Sequence, residues 1–134
     1  MGAMNGYNTG LRAREALERL KLGNAAYVNG QHFGDLSDAR RLDTAEHGQN
    51  PYAVVVCCSD SRSIPEVAFS CGIGDIFVIR VAGNVIDNHQ LGSIEYAASH
   101  LGIRLIVVLG HTHCGAVGAA IRPRTRGVRE DDHG

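Results

Sequence analysis

Five residues in two short stretches have the types and spacing to do chemistry together. In "VVVCCSDSR", residues 54–62, Cys58, Asp60 and Arg62 alternate with Cys57 and Ser59, and in an extended segment alternation sends the two sets to opposite faces. A thiol, a carboxylate and a guanidinium thus share a face where an apolar run ends. In "GHTHCG", residues 110–115, His111 and Cys114 follow a second apolar run, "LIVVL". Two thiolates and an imidazole suit Zn2+, a borderline-soft ion that takes sulfur and nitrogen in tetrahedral geometry, and three protein donors leave its fourth position open.

Each of these residues also has a plainer reading. A cysteine in a β-branched strand is ordinarily a small buried hydrophobe, and Cys57 and Cys71 are read that way. For Cys58, His111 and Cys114 the balance reverses, because chance rarely sets three soft donors at two strand ends. Asp60 beside Arg62 as an exposed ion pair contributes only about 0–1 kcal/mol; beside a cation, Arg62 gains the task of holding Asp60 off the metal. Both Cys58 and Cys114 are expected near helix N-termini, where the dipole favours the thiolate. His113 is read as a surface or supporting residue, and His32, His47, His89, His100 and His133 as solvated.

The elements that must position these residues are legible in the periodicity. Apolar residues at helical spacing over residues 11–28 predict an amphipathic helix, softly interrupted at Gly23. A loop over 30–51 holds one short helix near 39–45, and residues 52–57 form the first strand. Ser63, Pro65 and Glu66 resemble a helix start with Ser as cap, leading a helix to about Cys71. "DIFVIRVAGN" is a second strand closing in a Gly-Asn turn, and a helix over 90–101 stops at Gly102. The third strand, 105–111, is apolar on both faces, as parallel strands buried between helix layers are. Strands alternating with helices predict an α/β fold around a parallel sheet, and open α/β sheets bind ligands beyond the carboxyl ends of their strands.

Composition narrows the partners. The chain has 134 residues, 44% of them hydrophobic and 20% charged, enough for one domain with a buried core. Thirteen basic and fourteen acidic residues leave a net charge of −1, which gives no electrostatic reason for nucleic acid. The start, "MGAMNGYNTG", lacks the apolar core of a secretory signal, and no apolar stretch is long enough for a bilayer; the expectation is a cytoplasmic protein with no membrane and no nucleic-acid partner. Four cysteines without an export signal argue against a disulfide framework. Residues 1–10 are expected to be a flexible N-terminus, 11–121 a zinc-binding α/β domain, and the tail 122–134, with four arginines among Pro, Gly and acids, disordered.

"CSDSR" at 58–62, "GDIFVIRVAGN" at 74–84, "GSIEYA" at 92–97 and "GHTHCGA" at 110–116 resemble, in order and separation, the β-class carbonic anhydrases. The resemblance covers about 11–121 and is that of a short or C-terminally truncated member, lacking the family's usual C-terminal strands. It implies zinc, one ion per chain, on Cys58, His111 and Cys114, with Asp60 and Arg62 as the adjoining catalytic dyad. Asp60 either stays on Arg62, leaving the site open, or swings onto zinc as a fourth ligand and closes it. The implied reaction is reversible hydration of CO2 to bicarbonate and a proton by a zinc-bound hydroxide, with activity rising with pH because two thiolates make zinc a weaker Lewis acid. The resemblance also implies a homodimer or higher homo-oligomer. Two alternatives keep the same zinc site: a hydrolase of carbonyl sulfide or carbon disulfide, and a zinc-binding but inactive subunit with a role in assembly. Right-handed crossovers order the strands 2-1-3, leaving the third strand at an edge too apolar to face water alone; a further segment or a second chain is expected to cover it.

Overall fold

A computed structural model of the chain describes residues 11–122. The predicted flexible start and all of the predicted tail except Arg122 lie outside these residues. Three parallel strands, β1 (Ala53–Cys57), β2 (Ile76–Arg80) and β3 (Ile106–Val108), form one sheet in the order β2-β1-β3. Ala53 pairs with Ile76 and Cys57 with Arg80, while Val54 to Val56 pair with Ile106 to Val108. The expected α/β class and strand order are both present.

The alternation of β1 builds the core. Ala53, Val55 and Cys57 face helix α1 (Ala13–Val28), packing with its Ala16 and Leu20. Val54 and Val56 face the other way, into a second cluster with Ala97 of α4 (Asn88–His100), Leu101 and Ile103. Every β1 side chain is buried, so this strand is covered on both faces, as a central parallel strand must be.

Several local expectations are corrected. Gly23 does not interrupt α1; it is buried inside the helix, and a Cβ there would lie 1.7 Å from the Phe69 carbonyl oxygen. The glycine is needed for close approach of two backbones, not for a bend. The short helix of the loop is α2 (Asp38–His47), longer than the expected 39–45, and its cap Ser37 accepts a hydrogen bond from the Arg40 amide. Ser63 does not cap the next helix: α3 (Pro65–Ala68) is a single turn with Ile64 at its cap and Pro65 at its first position. The Ser63 amide instead donates to the Asp60 carbonyl. The α4 start is the better-formed signal, with Asp87 accepting from the His89 amide and Gln90 accepting from the Asp87 amide.

The expectation that the third strand is buried on both faces fails. Ile106 and Val108 are 49% and 66% exposed, whereas Val54, Val55 and Val56 are at most 2% exposed. The reason is topological: β3 has β1 on one side and no strand on the other, so among the described residues its outer edge is open. The expected edge position holds.

Candidate metal centre

All three strands deliver their carboxyl ends to one rim of the sheet, and five functional side chains gather there. Cys58 follows the last residue of β1 and is 3% exposed. His111 and Cys114 come from the loop after β3, Cys114 standing at the start of α5 (Gly115–Ile121). One donor atom from each of Cys58, His111 and Cys114 lies within 4.8 Å of the other two. The two Sγ atoms are 3.9 Å apart, against the ~3.8 Å that two sulfurs span across a tetrahedral ion at Zn–S distances of about 2.3 Å.

The histidine is oriented for the same purpose. Its Nδ1 lies 2.8 Å from the Thr112 carbonyl oxygen, so Nδ1 is the protonated nitrogen and Nε2 carries the lone pair. Nε2 is buried and has no hydrogen-bond partner. A buried polar atom without a partner is costly, and a metal ion accepting that lone pair removes the cost; a carbonyl on the far ring nitrogen is the usual support of a metal-ligating histidine. Donor set, spacing and orphaned nitrogen all fit zinc.

Asp60 is close to this cluster but engaged elsewhere. Arg62 donates from its backbone amide (2.9 Å) and Nε (3.1 Å) to Oδ1, and from Nη2 (2.7 Å) to Oδ2. These bonds hold the Asp60 carboxyl far below the ordinary carboxylate range. The pair is made by a tight turn in which the Ser63 amide donates to the Asp60 carbonyl, rather than by extended alternation continuing past Cys58. Alternation does hold through the strand itself: Cys57 is fully buried, and its burial pushes the thiol pKa up. Cys71, also buried, is pushed up to about 11 by desolvation, as befits a core thiol.

The sulfur of Cys58 is favoured as thiolate, but not by a helix dipole. The Gly83 amide donates to it at 3.2 Å, and this bond, the largest cause, together with the Asp60 backbone amide draws the thiol pKa down to about 6. Gly83 sits at φ +71° in the turn after β2, a left-handed conformation that glycine adopts without strain. "VAGN" reads as a simple turn in the sequence, and nothing in it announces that the Gly83 amide is turned toward Cys58.

Two more supporting residues escaped the sequence reading. Arg80, paired with Cys57 across the sheet, donates to the carbonyls of Cys58 at 3.0 Å and Asp60 at 2.7 Å, clamping the loop that carries both. Asn84 donates from Nδ2 to the Leu109 carbonyl at 2.8 Å, tying the turn after β2 to the end of β3. The His113 carbonyl accepts from Arg62 Nη2 at 3.1 Å, so this residue supports the site through its backbone. His32, His47, His89 and His100 are exposed, as expected, and His133 lies outside the described residues.

A family-wide profile described as carbonic anhydrase matches residues 53–133, and the solved β-carbonic anhydrase CcaA is 36% identical with a TM-score of 0.57, over 77% of this chain and 52% of its own. The chain belongs to the β-class carbonic anhydrases. The carbonic anhydrase of Mycolicibacterium smegmatis is 50% identical over 106 residues, 79% of this chain and 52% of that protein. One of two tetrameric β-carbonic anhydrases from the ascomycete Sordaria macrospora is 32% identical with a TM-score of 0.57, over 84% of this chain and 54% of its own. This β-carbonic anhydrase chain therefore spans about half the length of these relatives. The profile match runs past Ile121, where the resemblance carried by the motifs ends.

Proposed function

We propose that this chain catalyses the reversible hydration of CO2 to bicarbonate and a proton, with zinc held by Cys58, His111 and Cys114 and with Asp60 and Arg62 as the catalytic dyad. The observation that carries this reading is the division of labour at the rim: three soft donors converge within 4.8 Å, while the nearby carboxylate is held on an arginine. A fourth ligand from Asp60 would instead suit a closed state.

Zinc at such a site supplies a Lewis acid that brings the pKa of water to about 7, providing a nucleophile for CO2 at neutral pH. The chain's own residues do the rest. Asp60, kept ionised by Arg62, is an acceptor beside the cluster, its Oδ2 lying 3.9 Å from His111 Nδ1; with zinc in place it would accept a hydrogen bond from a water at the site and so orient that water toward CO2. Arg62 holds Asp60 through both carboxylate oxygens and would keep the carboxylate off a metal held by the three donors. The thiolate-favouring amide of Gly83 draws electron density from Cys58, which partly offsets the weaker Lewis acidity expected of a two-thiolate site.

Assembly with copies of itself is part of this reading, in a homodimer or larger. The open apolar edge of β3 supports it, as does the tetrameric state of the Sordaria macrospora relatives. A cytoplasmic location is supported by four free cysteines; among the described residues no helix is long and apolar enough to cross a membrane.

Stopped-flow CO2 hydration on protein of known zinc content tests the proposal. Turnover that scales with zinc supports it. Stoichiometric zinc with no hydration contradicts it and favours the inactive assembly subunit, whereas turnover of carbonyl sulfide or carbon disulfide in place of CO2 favours the hydrolase.

A further inference from the structure

The four thiols of the described chain fall into two kinds. Cys57 and Cys71 are at most 1% exposed and lie within the core packed against α1. Cys58 and Cys114 meet at the rim, with their sulfurs 3.9 Å apart. Cys114 is partly exposed, and it starts a helix, α5, that buries none of its residues. Cys58 is fixed by contrast, following a fully buried strand and receiving the Gly83 amide.

We propose that Cys58 and Cys114 form a peroxide-oxidisable dithiol whose disulfide shuts zinc out of the site, a redox control that rests on the zinc reading above. Cys114 is the sulfur that a hydroperoxide reaches. Its thiolate attacks the distal peroxide oxygen; an S–O bond forms, the O–O bond breaks, and the leaving hydroxide takes up a proton as water, giving a sulfenic acid. The Cys58 sulfur then attacks that sulfur; the S–S bond forms, the S–O bond breaks, and the second oxygen leaves as water. Two thiols and one hydrogen peroxide thus give one disulfide and two waters.

The two sulfurs must close from 3.9 Å to about 2 Å, and the weakly packed Cys114 side is where that movement is absorbed. Cys57 and Cys71 are set apart by burial: both lie in the core packed against α1 and are at most 1% exposed. Once linked, the sulfurs have no thiolate to offer, which leaves His111 alone and removes the site. A thiol reductant reverses the step.

The full chain, freed of metal, is divided into a reduced arm and an arm treated with hydrogen peroxide, and both are then offered zinc. The expected result is about one zinc per chain in the reduced arm, and in the oxidised arm loss of two hydrogens, a Cys58–Cys114 cross-link by fragmentation mass spectrometry, and no zinc until dithiothreitol is added. Because Cys57 adjoins Cys58, a Cys57→Ala chain serves as a check and is expected to give the same cross-link. Zinc uptake in the reduced arm with sulfinic acid, intermolecular links or a link through Cys57 or Cys71 in the oxidised arm overturns the dithiol proposal and leaves the zinc reading standing. No zinc in the reduced arm overturns both.

Discussion

β1 and β3 each lead into residues that could hold a metal ion, yet they are anchored very differently. β1 is buried on both faces and hydrogen-bonded on both sides. β3 has one neighbour, and two of its three residues stand half or more exposed. Cys58 therefore follows a strand that is buried at every residue, whereas His111 and Cys114 follow a strand with two of its three residues exposed. The lesson is that half of this site is preorganised by the core, while the other half depends on a few cross-ties. Those ties are Arg62 reaching the His113 carbonyl, Asn84 reaching the Leu109 carbonyl, and the ladder bond from the Leu109 amide to the Val56 carbonyl.

The largest expected effect ignores the difference in anchoring. Cys58→Ala and Cys114→Ala each remove a donor, and both should lower zinc affinity by more than the ~10–100-fold that loss of a supporting partner costs, measured by competition with a chelator. Stoichiometric, tight zinc in either variant would break the three-donor account. Arg62→Ala comes next: freed from its partner, Asp60 is expected to take the open position, so that hydration is lost while zinc is kept. Retained hydration, or loss of the metal, counts against the role given to Arg62.

The strands themselves are compared by matched truncations. Val55→Ala removes two methyl groups from a fully buried position and should cost about 2–3 kcal/mol in denaturant unfolding, the transfer of two carbons plus the cavity they leave. Val108→Ala, at 66% exposure, should stay within about 0.5 kcal/mol. Equal costs would mean that β3 is covered in solution, and would sharpen the comparison by locating the cover. Between these two, Asn84→Ala removes one neutral hydrogen bond, worth about 1 kcal/mol, and should weaken zinc binding about tenfold without changing β1.

The fold was legible in the sequence wherever periodicity was strong. The β-branched run of β1, the helix spacing of α1 and α4, and the Gly102 stop all gave the right elements, and crossover handedness then gave the strand order. What misled was local chemistry read without tertiary context. Gly23 looks like a weak point in a helix because nothing nearby in sequence announces the Phe69 backbone packed on it. Ser63 has the right spacing for a cap, but the turn at Asp60 claims its amide. At the site, side-chain donors could be read from type and spacing, whereas the backbone amide of Gly83 and the clamp of Arg80 could not, since both depend on which segments the parallel register brings side by side.

The smallest predicted effect concerns acid. Asp60 has a lowered pKa because Arg62 hydrogen-bonds its carboxylate, so the pair's contribution is fully present above the unfolded value of about 3.9 and is lost only as pH falls through the lower, folded value. Carboxyl-carbon NMR on the metal-free chain should find Asp60 still ionised at pH values where exposed aspartates have titrated. A midpoint near 4 would mean that the Arg62 pair does not persist in solution.

Zinc K-edge X-ray absorption on the zinc-loaded chain tests the central claim most directly, because it reports the donors that two unlike strand ends supply. The account predicts two sulfurs at about 2.3 Å and imidazole nitrogen at about 2.0–2.1 Å in a four-coordinate shell, with one sulfur lost in Cys58→Ala and one in Cys114→Ala. A shell of nitrogen and oxygen alone, or a sulfur count unchanged by either substitution, would contradict it.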